Sequence, residues 1–334
     1  MTQTDTYLAL DGENLVIRKD NDELKRLPLH NLEGIVAFGY TGASPALMGA
    51  CASRDIDLSF LTQSGRFLAR VAGEVRGNVL LRHRQHQIYD SDDASLAIAK
   101  NIVAGKIYNS RWVIERTLRD HEMRVDKVIL KEVSLALKQT AIDLYECEDI
   151  ERLRGIEGSA AERYFSVFNQ LILQNKDYFT FNGRNRRPPL DPINSLLSFI
   201  YVLLARETAS ALESVGLDPY VGFLHRIHPG RTSLALDLME ELRSVLADRF
   251  VLTLINKREV GTDGFEKKEN GAVIIKDETR QTVLRAWQER KQETLNHPFL
   301  GEKISWGLVP YAQALLLARY LRGDLDEYPP FMWK

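Results

Sequence analysis

The sequence has only two cysteines, Cys51 and Cys147, in 334 residues. Their separation matches no metal-site spacing and two thiols make no disulfide framework, so a reducing compartment is expected. No apolar run is long enough to span a bilayer. The N-terminal Met1-Thr2-Gln3-Thr4-Asp5 carries neither a basic region nor an apolar signal core, so a cytoplasmic protein with no membrane partner is expected. An excess of one charge is lacking as well. Lys and Arg number 44 against 46 Asp and Glu, a net charge of −2, so the chain as a whole is not a basic nucleic-acid binder. There is no Gly-x-x-x-x-Gly-Lys-[Ser/Thr] loop, no Gly-x-Gly-x-x-Gly, no His-Glu-x-x-His and no Cys-x-x-Cys. These gaps argue against an NTPase, a nucleotide-dependent oxidoreductase and a zinc peptidase. Internal repeats and low-complexity tracts are also missing.

What is present is a globular composition, 44% apolar and 27% charged, with length enough for two domains. The first part reads as β structure. Tyr7–Leu10 and Leu15–Ile17 flank Asp11-Gly12, a hairpin signal, and short apolar or alternating runs recur at Ile35–Phe38, Ile56–Phe60 and Phe67–Val71. Pro45–Ala52 reads as one helix among them, with Cys51 a buried thiol. The polar Asp90-Ser91-Asp92-Asp93 is a linker or a helix start. Beyond it helical periodicity dominates, as in Ile98, Ile102 and Ile107, then Ile114, Leu118 and Val125. Ser159-Ala160-Ala161-Glu162 has the form of a capping box opening a helix. Leu196–Leu204 reads as a buried helix, Leu308–Leu321 as another with Pro310 near its start, and Gly261–Gly271 as a loop. The expected fold class is α+β, a β-rich domain over residues 1–90 followed by a larger all-α domain over 91–334.

The candidate chemistry centres on Gly216-Leu217-Asp218-Pro219-Tyr220-Val221-Gly222-Phe223-Leu224-His225 and the segment after it. Read as a helix, Thr232–Leu246 puts Leu234, Leu238, Leu242 and Val245 on one side and Asp237, Glu240 and Glu241 on the other. Such an acidic arc is either a solvated stripe or a place for a cation. His225 lies fifteen residues before Glu240, too far along one straight helix to share an ion with it. The intervening His228-Pro229-Gly230 is a strong chain reverser and can return the imidazole to the acidic arc. Histidine with carboxylates suits a divalent metal with open positions; the competing reading is a satisfied core histidine. Glu157, between Gly155 and Gly158, either complements a helix dipole or sits where glycines let a ligand approach. The compact basic loop Phe181–Pro189 fits phosphate oxygens or structural ion pairs. From Arg66 to Lys131 thirteen Lys and Arg face eight acids, a phosphate-facing surface or a solvated mixed-charge face.

Four motifs in order carry a resemblance. They are Gly155-Ile156-Glu157-Gly158-x-Ala160-Ala161-x-x-Tyr164-Phe165, then Arg186-Arg187-Pro188-Pro189-x-Asp191-Pro192-x-Asn194-x-Leu196-Leu197-Ser198-Phe199-x-Tyr201, then Gly216-Leu217-Asp218-Pro219-x-x-Gly222-Phe223-Leu224-His225, and Ser233 through Arg243. Together they resemble the universal CRISPR-associated integrase of spacer acquisition. The ending Val309-Pro310-Tyr311-x-x-x-Ala314 through Tyr320-Leu321-Arg322-Gly323 is similar to its type I-C branch. The resemblance implies a dimerising N-terminal β domain and a helical catalytic domain in a prokaryotic cytoplasm. It implies metal ligands Glu157, His225 and Glu240, with Asp237 acting through water or behind the ligands, and Mg²⁺ or Mn²⁺ as cofactor. The implied reaction is attack of a DNA 3′-hydroxyl on a phosphodiester at a CRISPR repeat, with DNase activity when water replaces the hydroxyl. Implied partners are double-stranded or branched DNA with single-stranded ends, a second copy of the chain, and a small second adaptation protein. Arg66, Arg76, Arg84, Arg184, Arg187 and Arg231 are the expected phosphate contacts. Rival readings are a non-catalytic DNA scaffold and a general metal-dependent nuclease.

Overall fold

The computed structural model describes residues 6–20, 22–32, 34–39, 41–54, 56–62, 67–73 and 78–334. Arg66 and Arg76 lie outside the described residues. The chain divides into two compact units, Met1–Gly77 and Asn78–Lys334. The division falls earlier than the expected 90, because the helix over Val79–Tyr89 belongs with the second unit.

In the first unit the Gly12-Glu13 turn, with Gly12 at φ +58°, closes a hairpin of β1 (Tyr7–Asp11) and β2 (Asn14–Lys19). Gly at such a φ carries no Cβ penalty. β3 (Asp22–Pro28) pairs antiparallel with β2, although its alternation is hidden by charge: most of its residues are exposed at the sheet edge. After β4 (Gly34–Phe38) and the short β5 (Gly42–Ala43), Ser44 caps α1 (Pro45–Ser53) through Leu47 N at 3.2 Å. β6 (Asp57–Leu61) and β7 (Phe67–Val71) follow. The strands form one sheet in the order β3-β2-β1-β5 and another in the order β4-β6-β7. Leu8, Leu15, Ile17, Leu29, Ile35, Leu47, Cys51 and Leu58 make one buried cluster in this unit.

The second unit is helical, and most of its long helices open on a side-chain oxygen. After α2 (Val79–Tyr89), Ser91 caps α3 (Asp92–His121), with Asp92 and Asp93 in the positive first turn. Asp126 caps α4 (Lys127–Asp143), and Asp149 caps α5 (Ile150–Ser166) through Arg152 N at 2.8 Å. The expected cap at Ser159 is therefore overturned: Ser159 lies inside α5, and so do Gly155 and Gly158. Two helix-interior glycines cost about 1 kcal/mol each relative to alanine; burial of Leu153, Ala160 and Tyr164 on the opposite face offsets that.

α6 (Phe168–Leu171) precedes the arginine loop, and Asp191 then caps α7 (Pro192–Ser214) through Asn194 N at 2.7 Å. α7 is long and apolar enough to cross a membrane, yet Ile193, Leu196, Leu197, Ile200 and Leu204 are fully buried inside the unit. α8 (Ser233–Leu242) runs through a π-helical turn at Arg243–Asp248 into α9 (Arg249–Asn256). The unit is not purely α, because two short antiparallel ladders interrupt it. β8 (Phe265–Lys267) stands where a plain loop over Gly261–Gly271 was expected, and it pairs with β9 (Val273–Ile275) just beyond that span. Beyond α10 (Asp277–Gln292), β10 (Thr294–Asn296) pairs with β11 (Lys303–Ser305) ahead of α11 (Val309–Arg322).

Candidate active site

The loop after α7 is built to present His225. Gly216, at φ +85°, ends the helix in the left-handed conformation. Gln85 of α2 then clamps the loop, donating to the carbonyls of Asp218 (2.8 Å) and Val221 (2.9 Å) and accepting from Asp218 N (2.9 Å). Gly222 has no substitute: a Cβ there would lie 2.7 Å from Asp237 Oδ2 and 2.7 Å from the Ser233 carbonyl carbon. That close approach lets the fully buried Asp237 accept from Phe223 N (2.6 Å), Leu224 N (2.9 Å) and His225 N (2.9 Å). The same carboxylate holds His225 Nδ1 at 2.6 Å through Oδ1. An acceptor on Nδ1 puts the neutral ring's proton there and leaves Nε2 with the free lone pair. The reversal at His228-Pro229-Gly230 thus returns His225 to the acidic arc, but its direct partner is Asp237. Arg154 of α5 ties the loop down by donating Nε to Leu224 O at 2.8 Å.

The three acids of α8 have separate surroundings, and none of them is a solvated stripe. Glu240 faces α3 and α5. Lys106 of α3 bonds Glu157 and lies 2.7 Å from Glu240 Oε2, so one ammonium bridges both carboxylates. Arg243 reaches Glu240 Oε1 at 2.9 Å. Burial alone would raise the Glu240 pKa; Arg243, Lys106 and His225 outweigh it and hold the group down at about 2. Glu241 turns the other way. It accepts from Gln313 Nε2 (2.9 Å), Tyr328 Oη (2.7 Å) and Phe331 N (2.7 Å), and burial without a cation pushes it up to about 8 against those donors.

Lys106 and Arg243 were not recognised as site residues from sequence. Lys106 did leave a signal, a lone cation on an apolar stretch (Ile102, Val103, Gly105, Ile107) of a buried helix, since a lysine seldom goes inside without an acid. A cavity of about 30 Å³ beside the cluster is lined by Lys106, Tyr164, Arg184, Tyr201, Arg243 and Asp248. There Tyr201 donates to Asp248 at 2.6 Å, and burial raises Asp248 to about 6.

The expected phosphate contacts are placed differently from one another. Arg184 is tied to its own loop and to α7, donating to Asn185 O (2.8 Å) and Asn194 Oδ1 (2.6 Å) and lying over the Tyr201 ring. Arg231 donates to Ser233 Oγ (3.2 Å) and to Arg226 O. Arg84 and Arg187 are exposed.

Among the described residues, no three His, Cys, Asp or Glu side chains converge closely enough to hold a metal as they stand. The donor chemistry nevertheless fits a hard divalent cation. Two carboxylates already share one cation, Glu240 Oε2 is buried without an aligned hydrogen-bond donor, and an imidazole is oriented beside them. Lys106 occupies the position between the acids that a cation would take.

Fold and cluster together define a class: two-unit proteins with a β-rich unit preceding a helical unit that carries a histidine–carboxylate centre. A profile for CRISPR associated protein Cas1 matches residues 1–289. The CRISPR-associated endonuclease Cas1 2 of Rhodospirillum rubrum is 52% identical over 338 residues, covering 100% of this chain and 97% of that protein. Among solved structures, a Cas6-RT-Cas1–Cas2 complex superposes with a TM-score of 0.81 at 25% identity, over 100% of this chain and 36% of that one. A casposase bound to integration product gives 0.84 at 23% identity over 98% and 92% of the two chains, a likeness of fold alone. The chain belongs to the Cas1 family.

Proposed function

We propose that this chain is a metal-dependent DNA endonuclease and integrase of CRISPR spacer acquisition, of the type I-C branch. It would insert short foreign DNA fragments into a CRISPR array by 3′-hydroxyl attack on a phosphodiester. Family membership supports the endonuclease class, since the Rhodospirillum relative carries that name over its whole length. The observation that carries the mechanism is the meeting of Glu157 and Glu240 on one ammonium beside an Asp-oriented His225. Residues that already hold a cation between a buried acid and a half-buried one are suited to exchange it for a divalent one. Glu157, His225 and Glu240 are the proposed ligands, with Mg²⁺ or Mn²⁺ the ion and Asp237 the residue that positions the imidazole.

In strand transfer one P–O bond forms at the attacked phosphorus while the P–O bond to the leaving 3′-oxygen breaks. Negative charge builds on the phosphoryl oxygens, the attacking hydroxyl gives up its proton, and the leaving 3′-oxygen takes one up to end as a hydroxyl, so no net proton is consumed. When bound, the divalent ion supplies Lewis-acid charge at that phosphate. Asp237 fixes the His225 ring through Nδ1 and so keeps Nε2 available. Arg243 keeps Glu240 ionised and, with the displaced Lys106 ammonium, supplies fixed positive charge near the reacting phosphate. Water in place of the 3′-hydroxyl gives hydrolysis, hence nuclease activity. The β-rich unit is the proposed homodimer surface. A small second adaptation protein is the proposed partner, in line with the Cas1–Cas2 content of one structural neighbour.

The test is strand transfer on labelled branched or repeat-containing DNA with Mg²⁺ or Mn²⁺, comparing wild type with His225→Ala. Metal-dependent joining and cleavage that the folded variant lacks is the expected result; equal activity would remove His225 from the site. The scaffold reading has one observation on its side, the internal neutralisation of the acidic pair by Lys106. DNA binding without any metal-dependent cleavage or joining would select it, and cleavage without joining in the partner's presence would select a plain nuclease.

A further inference from the structure

A second charged concavity lies in the helical unit, away from the carboxylate cluster. It is a partly open cavity of about 510 Å³, and Arg116 of α3, Arg249 of α9, Arg290 of α10, Glu293, Trp306 and Trp333 line it. Three guanidiniums thus face one shared volume with a single carboxylate among those groups.

Two of the three have local acids. Arg290 pairs with Glu293, and Arg116 lies 3.3 Å from Asp120. Arg249 is left over: its Nη1 is buried with no hydrogen-bond acceptor among the described residues. Its guanidinium instead lies 4.6 Å over the Trp333 ring. Burial, followed by the like charges of Arg116 and Arg290, pushes Arg249 down to about 9, the response of a cation short of a counter-ion. A buried donor without an acceptor is costly to leave unmade. The indoles contribute planar walls. Arg290 stacks 4.6 Å over Trp306, and Trp306 packs edge-on to Trp333 at 5.3 Å. Planar guanidinium forks converging on a cleft match the tetrahedral oxygens of a phosphate.

The position of the cavity follows from two helices. Lys106 and Arg116 are ten residues apart on α3, about 15 Å at the helical rise. Glu240 and Arg249 are nine residues apart along the continuous α8–α9 run, at most about 14 Å because the π-helical turn between them advances less per residue than an α-helix. Both helices carry a carboxylate-site residue at one point and a cavity arginine a similar distance onward. A nucleic-acid strand advances about 3.4 Å per stacked nucleotide, so up to about four nucleotides span the interval.

We infer that the Arg116–Arg249–Arg290 cavity is a phosphodiester-binding subsite that grips a single DNA strand a few nucleotides from the reacting phosphate. This deepens the proposed DNA reaction and rests on it. The indole-backed arginines hold the backbone and read no sequence, so the subsite fixes the register of the strand relative to the carboxylate cluster.

The experiment is equilibrium binding of a short fluorescein-labelled single-stranded DNA to the full chain across a potassium chloride series. Arg116→Gln/Arg290→Gln removes the two more accessible cations, and Glu293→Gln removes the acid. Each single-strand phosphate contact adds about 0.7 to the slope of log affinity against log salt, so the double variant is expected to lose about 1.4 of slope and about tenfold in affinity. Glu293→Gln is expected to bind a few-fold tighter, a gain that a damaged fold does not give. An unchanged slope in the folded double variant, or no gain with Glu293→Gln, overturns the subsite while leaving the proposed reaction standing. A deoxynucleoside monophosphate forms the second arm. If it binds with Trp quenching that the double variant loses, while the DNA slope is unchanged, the cavity belongs to a free nucleotide and the strand assignment falls. Failure of wild type to bind or cut any DNA removes the proposed function itself, an outcome separate from these.

Discussion

Replacing Lys106 with methionine tests whether the ammonium is a stand-in for a metal. The stem of the side chain is kept and only the charge is removed. Glu240 is 2% exposed, and the Lys106 side chain is 12% exposed, so this is a buried pair. Stripping one partner from a buried ion pair typically costs about 3–5 kcal/mol. Here Arg243 still reaches the other oxygen of Glu240 at 2.9 Å, and the Glu157 side chain is 24% exposed and open to water. The expected loss therefore falls at or below the bottom of that range, about 2–3 kcal/mol in metal-free buffer, or about 5–10 °C in Tm for a unit of this size. Manganese should reverse the order. In wild type an ion must first displace the ammonium; in the variant nothing stands in its way, so Mn²⁺ is expected to bind about 10- to 100-fold tighter. Thermal melts with and without Mn²⁺, and Mn²⁺ affinity by electron paramagnetic resonance, read the two effects without any activity assay. A variant as stable as wild type without metal, or one that binds Mn²⁺ more weakly, would refute Lys106 as the resident cation.

Asp237→Asn turns one acceptor oxygen into a donor amide facing the buried Phe223–His225 N–H groups and frees the His225 ring, so it should cost about 1–3 kcal/mol of stability and lower metal-dependent cleavage about 10- to 100-fold, less than the loss in His225→Ala; denaturant melts and steady-state cleavage of both variants check this. Gly222→Ala forces a Cβ against the Ser233 backbone and Asp237; overpacking of this kind costs about 1–3 kcal/mol, read as a lower denaturant midpoint together with lost cleavage. Glu241 is held near 8, above its ordinary 4.5, so in between the folded chain keeps a proton that the unfolded chain has released. Its contribution to stability is complete below about 4.5 and fades as pH rises toward 8, by at most about 1.4 kcal/mol per pH unit, and denaturant melts of Glu241→Gln across that window should lack the trend. The exposed Arg84 and Arg187, changed singly to Glu, should each lower the salt slope of duplex DNA binding by about 0.9 or more without changing Tm; unchanged affinity would remove them as contacts.

Elements with strong local signals were legible from the sequence. The hairpin around Gly12 combines a turn with alternation, while α1 and the buried run over α7 stand out as continuous stretches of small or apolar residues opening near a proline. β3 was hidden because an exposed edge strand carries charge where an inner strand carries alternation. The beginning of α5 was hidden because Ser-x-x-Glu has the form of a cap wherever it falls, and only the Asp149 bond to Arg152 N fixes the true first turn. Gly155 and Gly158, read as giving a ligand access to Glu157, lie inside α5, where tertiary burial of the opposite face overrides their low helix propensity. In the site, His225, Asp237 and Glu240 lie close in sequence and could be grouped through one reversal. Lys106 and Glu157 are tied to them only through packing of α3 and α5, a separation that local spacing does not encode.

The acids of α8 show where sequence reasoning stops. Asp237, Glu240 and Glu241 occupy one arc by helical spacing, and a solvated stripe and a metal site predict the same letters. In the fold all three are buried, yet each meets a different environment. Asp237 meets backbone N–H groups and a histidine, Glu240 meets two cations, and Glu241 meets neutral donors only. The last two are adjacent in sequence, and burial drives both toward the neutral acid. Glu240 ends at about 2 and Glu241 at about 8 because Lys106 and Arg243 stand beside one of them and not the other. Ionisation, and with it fitness to bind a metal, is set by which neighbouring helix each residue faces. Adjacent residues on a helix point about 100° apart, and here that rotation separates the carboxylate proposed to take a divalent ion from an acid that anchors the chain at Tyr328 and Phe331.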